Sequence, residues 1–189
     1  GKDGAKLEYS KSWAKEFMQD ANIPTAKFWK VSSPEEAKKI IHSTSIPLVV
    51  KADGLASGKG VFIPDSKEEC VKATESIFNG KFGNSGNLVV LEEKIHGPEV
   101  SVFALCDGTK YILLPTAQDH KRLNEKDKGP NTGGMGAYSP APLLTNNYLE
   151  RIIKEIIDPT INELNKKNID YKGVIYFGLM ITKSGPKVI

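Results

Sequence analysis

The chain has 189 residues, with 26 Lys and Arg against 23 Asp and Glu for a formal net charge of +3, a length that suits one domain or two small ones. The charges are mixed along the chain and form no basic stripe, so a nucleic-acid partner is not expected. No apolar run approaches the ~20 residues of a membrane span, no signal-peptide pattern opens the chain, and Cys70 and Cys106 lack CxxC spacing; the expectation is a reduced, cytoplasmic, soluble protein with no membrane partner.

Taken in chain order, Trp13, Phe17 and Ala21 recur every four residues and predict a helix over residues 10–21, ended by residues 22–24. Ser33 with Pro34 and Glu36, and Ser66 with Glu69, read as two further helix starts carrying capping boxes. Strand-like runs occupy residues 47–52, 60–63, 88–91 and 100–105, and Asp107-Gly108 predicts a hairpin turn into residues 110–116. Residues 118–142, "QDHKRLNEKDKGPNTGGMGAYSPAP", follow neither period and are expected to form a long loop, functional or disordered. Met135, Tyr138 and the closely spaced prolines argue against disorder. A helix is expected from residue 146 to about 168, with Ile152, Ile153, Ile156 and Ile157 on one side and a kink at Pro159. The last run, "GVIYFGLMITKSGPKVI", reads as two strands around Ser184-Gly185.

Three stretches carry chemistry. In "LVVKADGLASGKGV" (residues 48–61) the spacing from Gly54 to Gly58 is too short for a Walker A loop, and no Ser or Thr follows Lys59. The physics of such loops survives, because glycines let backbone N–H groups turn toward a phosphate. Lys51 closes a buried strand and can reach a phosphate, or can simply snorkel; Lys59 reads equally as a phosphate ligand or a solvated loop tip. In "LVVLEEKIHGPEV" (residues 88–100) the strand-to-connector backbone can pair with an adenine edge and Glu99 can accept from ribose hydroxyls, or the segment is an acidic hinge without ligand. The long segment gathers Asp119, His120, Lys121, Arg122, Asn131 and Thr132 ahead of Gly133, Gly134 and Gly136, a composition that suits a cover over a small polar ligand.

The combination of "KADGLASGKGV", "LEEKIHGPEVSVF", "QDHKR" and "GPNTGGMGAYSPAP" resembles the phosphoribosylamine–glycine ligases (glycinamide ribonucleotide synthetases) of the ATP-grasp superfamily. The resemblance runs from "LEYSKSWAKEF" to "YKGVIYFGLMITKSGPKVI". It implies an α+β ATP-grasp fold in which two subdomains with antiparallel sheets clamp ATP. Its parts would be an opening helical segment at 1–24, a small subdomain at 25–96 with the glycine-rich loop, and a large subdomain at 97–189 with the acceptor loop. It implies that Lys11 and Lys51 reach the ATP phosphates and that Asp53, Gly54, Ser57, Gly58, Lys59 and Gly60 close over them. Glu92, Glu93 and Ile95 would line adenine, and Glu99 the ribose. Asp119, Lys121, Asn131 and Thr132 would face the acceptor substrates, glycine and 5-phosphoribosylamine, during ligation through a glycyl phosphate. The family's divalent cation, Mg²⁺ or Mn²⁺, takes a Glu and an Asn that follow the "KVI" strand, so no metal ligand is expected within the chain. On the same resemblance the chain is the central piece of a longer protein, inactive alone and monomeric. Two alternatives are another ATP-grasp carboxylate–amine ligase and a nucleotide-binding module without turnover.

Overall fold

A computed structural model describes residues 1–56, 59–125 and 128–189, apart from the side chain of Asn131. The chain forms two compact units, one comprising Lys2–Asp20 and Thr25–Ile95, the other His96–Ile189 with Ala21–Pro24 and Gly1.

The first unit begins with helices α1 (Lys6–Tyr9) and α2 (Lys11–Asp20). The N-terminus of α2 is capped from far along the chain: Asp53 accepts from Ser12 N–H at 2.5 Å and from Ser10 Oγ at 3.1 Å, which satisfies donors that a helix start leaves open. There follow β1 (Phe28–Val31), α3 (Pro34–Ser43), β2 (Leu48–Ala52), β3 (Val61–Phe62), α4 (Lys67–Ser76) and β4 (Val89–Glu93). Both expected caps are present, with Ser33 Oγ accepting from Glu36 N–H and Ser66 Oγ from Glu69 N–H. The strands form one antiparallel sheet in the order β1-β4-β2-β3. Its core gathers Val31, Leu48, Val50, Val89 and Leu91 from the strands with Ala37 and Ile41 of α3 and Cys70 of α4. Burial pushes the Cys70 thiol up to about 11, so it packs as an inert apolar group.

The second unit holds β5 (Glu99–Cys106), β6 (Tyr111–Leu113), β7 (Gln118–Asn124), β8 (Lys128–Tyr138), α5 (Asn146–Ile152), α6 (Asp158–Lys166), β9 (Gly173–Thr182) and β10 (Gly185–Val188). A four-stranded antiparallel sheet runs β10-β9-β5-β6. Alternate residues on β5 (Val100, Val102, Ala104, Cys106) and β9 (Ile175, Phe177, Leu179, Ile181) are buried, together with Ile152, Ile156, Ile157, Ile161 and Leu164 of the helical segment. Asp107 Oδ1 accepts from the N–H groups of Thr109 and Lys110 and closes the β5–β6 turn, where Gly108 takes a φ of 108°.

Two expectations change. Within the stretch 118–142 expected as a loop, residues 118–124 and 128–138 are strands: β7 and β8 pair antiparallel, and Ala117 just before β7 bridges to Ser101 of β5. The stretch expected as one kinked helix stays helical through a wide turn over Ile153–Ile157, in which Asp158 N–H donates to Ile153 O, and Pro159 then sits in the first turn of α6.

Gly97 is fixed by contact. A Cβ there would lie 2.1 Å from Ile181 O, beside the bond from Ile181 N–H to Pro98 O. Gly97→Ala is expected to lower stability by about 1–3 kcal/mol, because backbone cannot give way as a flexible side chain can. Urea unfolding measures it, and an unchanged midpoint would show that the approach is not constraining.

Candidate functional site

In the first unit the glycine-rich turn follows β2 directly. Gly54 N–H donates to Ser85 O at 3.2 Å, Ser85 Oγ donates to Leu55 O at 2.8 Å, and Ala52 N–H donates to Gly60 O at 2.8 Å, so the turn is tied down at both ends. A Cβ on Gly54 would fall within 2.9 Å of three Ser85 atoms, and one on Gly60 would meet Ala56 Cβ at 2.6 Å. Glycine is therefore needed at both positions for close approach. Lys59 is exposed, with its N–H on Ala56 O. Ser57 and Gly58 lie outside the described residues.

Beside this turn stands a buried charge cluster. Lys51, on β2 opposite Val90 of β4, places Nζ 2.9 Å from Glu92 Oε1. Lys15, on α2, places Nζ 2.8 Å from Glu92 Oε2 and donates to Thr25 Oγ1 at 2.6 Å. The side chains of Lys15 and Glu92 are each 3% exposed, and that of Lys51 is 14% exposed. Glu92 Oε1 makes no hydrogen bond of good geometry, so its contact with Lys51 is an ion pair. Burial works to raise the Glu92 pKa, but Lys51 and Lys15 together hold it below the usual carboxylate range. For Lys15 the balance is reversed: burial outweighs Glu92 and lowers its pKa. Lys11, the first residue of α2, donates from Nζ to Gly54 O at 3.1 Å. Its pKa is lowered too, by burial first and then by Lys51.

The expected adenine contact is with the backbone of residues 92–95, and the Glu92 side chain itself lies between two lysines. Asp53 opens the loop expected to close over the phosphates, and its carboxylate caps the start of α2. Lys15 was missed, and the signal for it was its place one helical turn after Lys11. At the end of β4, Glu93 is half-buried. Glu93 N–H donates to Lys27 O and Lys94 N–H to Pro47 O, each at 2.8 Å. Among the described residues Ile95 N–H makes no such bond.

In the second unit Lys121 Nζ lies 3.3 Å from Glu99 Oε2 and 3.7 Å from Asp119 Oδ2. A shallow cleft beside them is completed by Ser101, Tyr176, Gly178 and Ile189. Burial works to lower the Lys121 pKa, and Glu99 and Asp119 outweigh it, so the ammonium stays charged. Thr132 Oγ1 donates to Lys121 O at 2.9 Å and accepts from Gly134 N–H at 3.0 Å, which gives it a role in shaping the hairpin. Asn131 stands opposite Arg122 in the register, and its side chain lies outside the description. His120 packs against Tyr138 in a tilted contact, with ring centroids 5.4 Å apart; Arg122 Nη1 donates to Gly129 O at 2.8 Å. The structure thus gathers Glu99, Asp119 and Lys121 in one place. Among the described residues no group of three or more His, Cys, Asp or Glu could hold a metal ion, and no helix is long and apolar enough to cross a membrane.

The profile of the phosphoribosylglycinamide synthetase ATP-grasp (A) domain matches residues 9–189. A phosphoribosylamine–glycine ligase of Leptospira interrogans is 50% identical over 187 residues, covering 98% of this chain and 44% of that protein. One from Nostoc is 50% identical over 182 residues, covering 96% of the chain and 43% of that protein. The crystal structure of the Thermotoga maritima phosphoribosylamine–glycine ligase superposes with a TM-score of 0.88 at 38% identity, covering all of this chain and 48% of that one. The chain thus spans a little under half the length of these relatives.

Proposed function

This chain belongs to the phosphoribosylglycinamide synthetase ATP-grasp domain family, and from that premise we propose that the protein it is part of joins glycine to 5-phosphoribosylamine at the expense of ATP, in purine biosynthesis. The observation that carries the reading is the buried cluster of Lys51, Glu92 and Lys15 beside a glycine turn, which keeps a cation at a strand end where a nucleotide phosphate can meet it. Lys11 and residues 48–100 are assigned to the nucleotide, and residues 118–142, within the large subdomain at 97–189, to the acceptors. In this reading the protein is cytoplasmic and monomeric, with no nucleic-acid partner.

Lys11 and Lys51 neutralise phosphate charge, residues 53–60 close over the phosphates, Ile95 N–H reads the adenine edge and Glu99 faces the ribose. The γ-phosphoryl passes to a carboxylate oxygen of glycine. The amine of phosphoribosylamine then attacks the carbonyl carbon, the C–O bond to phosphate breaks, and the nitrogen gives up a proton. Phosphoryl transfer is mainly positioning and charge stabilisation, which is what lysines at fixed places provide. Asp119 and Lys121 orient the acceptors, and the β7–β8 hairpin shields an acyl phosphate from water. A divalent cation, Mg²⁺ or Mn²⁺, supplies further charge neutralisation when bound, but the described residues offer no cluster to hold one, and the roles of the lysines, Asp119 and the hairpin do not pass through it.

The test is ADP release by the full-length protein that contains this chain, which should require both glycine and phosphoribosylamine. ADP release indifferent to glycine would sink the assignment. Asp119→Asn should lower turnover at least about tenfold while ATP affinity stays within about twofold, the signature of a residue that serves only the acceptors. A large change in nucleotide affinity would refute that division.

A further inference from the structure

Lys15 has no role among the phosphate, adenine and acceptor contacts proposed above, yet it is among the most expensive side chains in the first unit. An ammonium this buried costs free energy unless paired, and a methionine would fill much of the same space without that cost. Its position is specific: Nζ engages Glu92 Oε2 at 2.8 Å and Thr25 Oγ1 at 2.6 Å, while Lys51 has the other carboxylate oxygen at 2.9 Å. A carboxylate shared by two ammonium groups leaves the trio with one positive charge. The more exposed of the two lysines is Lys51, so that charge is available on the Lys51 side. With Lys15 absent, Glu92 and Lys51 would form a one-to-one pair and the charge offered to a phosphate would cancel.

We propose that Lys15 is a positioning residue for nucleotide binding: by occupying Glu92 Oε2 it keeps Glu92 from neutralising Lys51, and so leaves the trio a net positive charge on the Lys51 side. The inference rests on the proposed binding of ATP. A merely structural Lys15, tying α2 to β4, would act on folding and on every ligand alike. Charge-keeping acts on phosphates alone.

The experiment is calorimetric titration of ATP and adenosine into the full-length protein that contains this chain, its Lys15→Met variant and the double variant Lys15→Met/Glu92→Gln, with a thermal melt of each. Lys15→Met should weaken ATP binding about tenfold and adenosine binding less than about twofold, in keeping with the loss of one charge-assisted interaction. The double variant, which removes both buried charges and returns the positive charge to Lys51, should recover ATP affinity to within about threefold of the unaltered chain. If Lys15→Met does not fold, the double variant carries the test alone: near-normal ATP affinity supports the inference and a tenfold loss overturns it. Equal losses for ATP and adenosine, or a double variant as weak as the single, also overturn it. ATP binding by the unaltered chain that Lys15→Met leaves unchanged removes the Lys15 inference only, whereas no ATP binding by the unaltered chain removes the nucleotide reading beneath it.

Discussion

Lys51→Ala is expected to weaken ATP binding about 10- to 150-fold, the equivalent of one charge-assisted hydrogen bond of about 1.5–3 kcal/mol, while Lys59→Ala changes it by no more than about threefold. The two lysines flank the same glycine turn and differ in how they are held. Lys51 is fixed in β2 between Val61 of β3 and Val90 of β4, and Glu92 orients its ammonium at 2.9 Å. Little side-chain freedom remains to be lost when a phosphate arrives. Lys59 is exposed and, among the described residues, engages in no ion pair, so any bond it makes is offset by the ordering of a long side chain. Removing Lys51 leaves Lys15 and Glu92 as a one-to-one pair, so folding should survive and the loss can be read as binding. Titration at two salt concentrations checks the cause, since a lost cation also lowers the salt dependence. Equal losses for the two variants would remove Lys51 from the phosphate site.

What was legible in the sequence was local. Ser33 and Ser66 announced their helices because a cap is satisfied within one turn, and the structure adds only that Glu36 and Glu69 reach back to the N–H groups of Ser32 and Asp65. The Asp107-Gly108 turn was legible for the same reason. The motifs also gave the family, because their residues stand in order along the chain. The β7–β8 hairpin was hidden since β8, "KGPNTGGMGAY", is glycine-rich, largely exposed and lacks the alternation that a buried face imposes. Asp53 and Lys15 were hidden for a different reason. Each acts across the fold, Asp53 on the start of α2 and Lys15 on Glu92 of β4. Neither partner is near in sequence, and a lysine on an amphipathic helix ordinarily reads as its solvated face.

Glu92→Gln isolates what the buried cluster does for stability, because it removes a charge and leaves the shape almost unchanged. At neutral pH the expected loss is about 3–5 kcal/mol, the cost of stranding Lys15 and Lys51 without their shared carboxylate. The pH dependence separates this from a packing defect. Glu92 has a folded-state pKa held below its ordinary value by the two lysines. Its contribution is therefore complete above the usual carboxylate range and is lost as pH falls through the folded value. The gap between the unaltered chain and Glu92→Gln should accordingly close on acidification, as a protonated Glu92 comes to resemble the glutamine. On the alkaline side the sign is opposite for Lys15, whose folded-state pKa is lowered by burial: the unfolded chain holds that proton longer, so stability rises as Lys15 is deprotonated in the folded state. Without the Glu92 charge the burial of Lys15 is opposed chiefly by its bond to Thr25 Oγ1, so the rise should begin at lower pH in the variant and return part of the loss. Urea midpoints for both proteins across acidic, neutral and alkaline buffers give the comparison directly. A stability gap that stayed constant with pH would mean that Glu92 acts through packing and that the charges of Lys15 and Lys51 are not held by it.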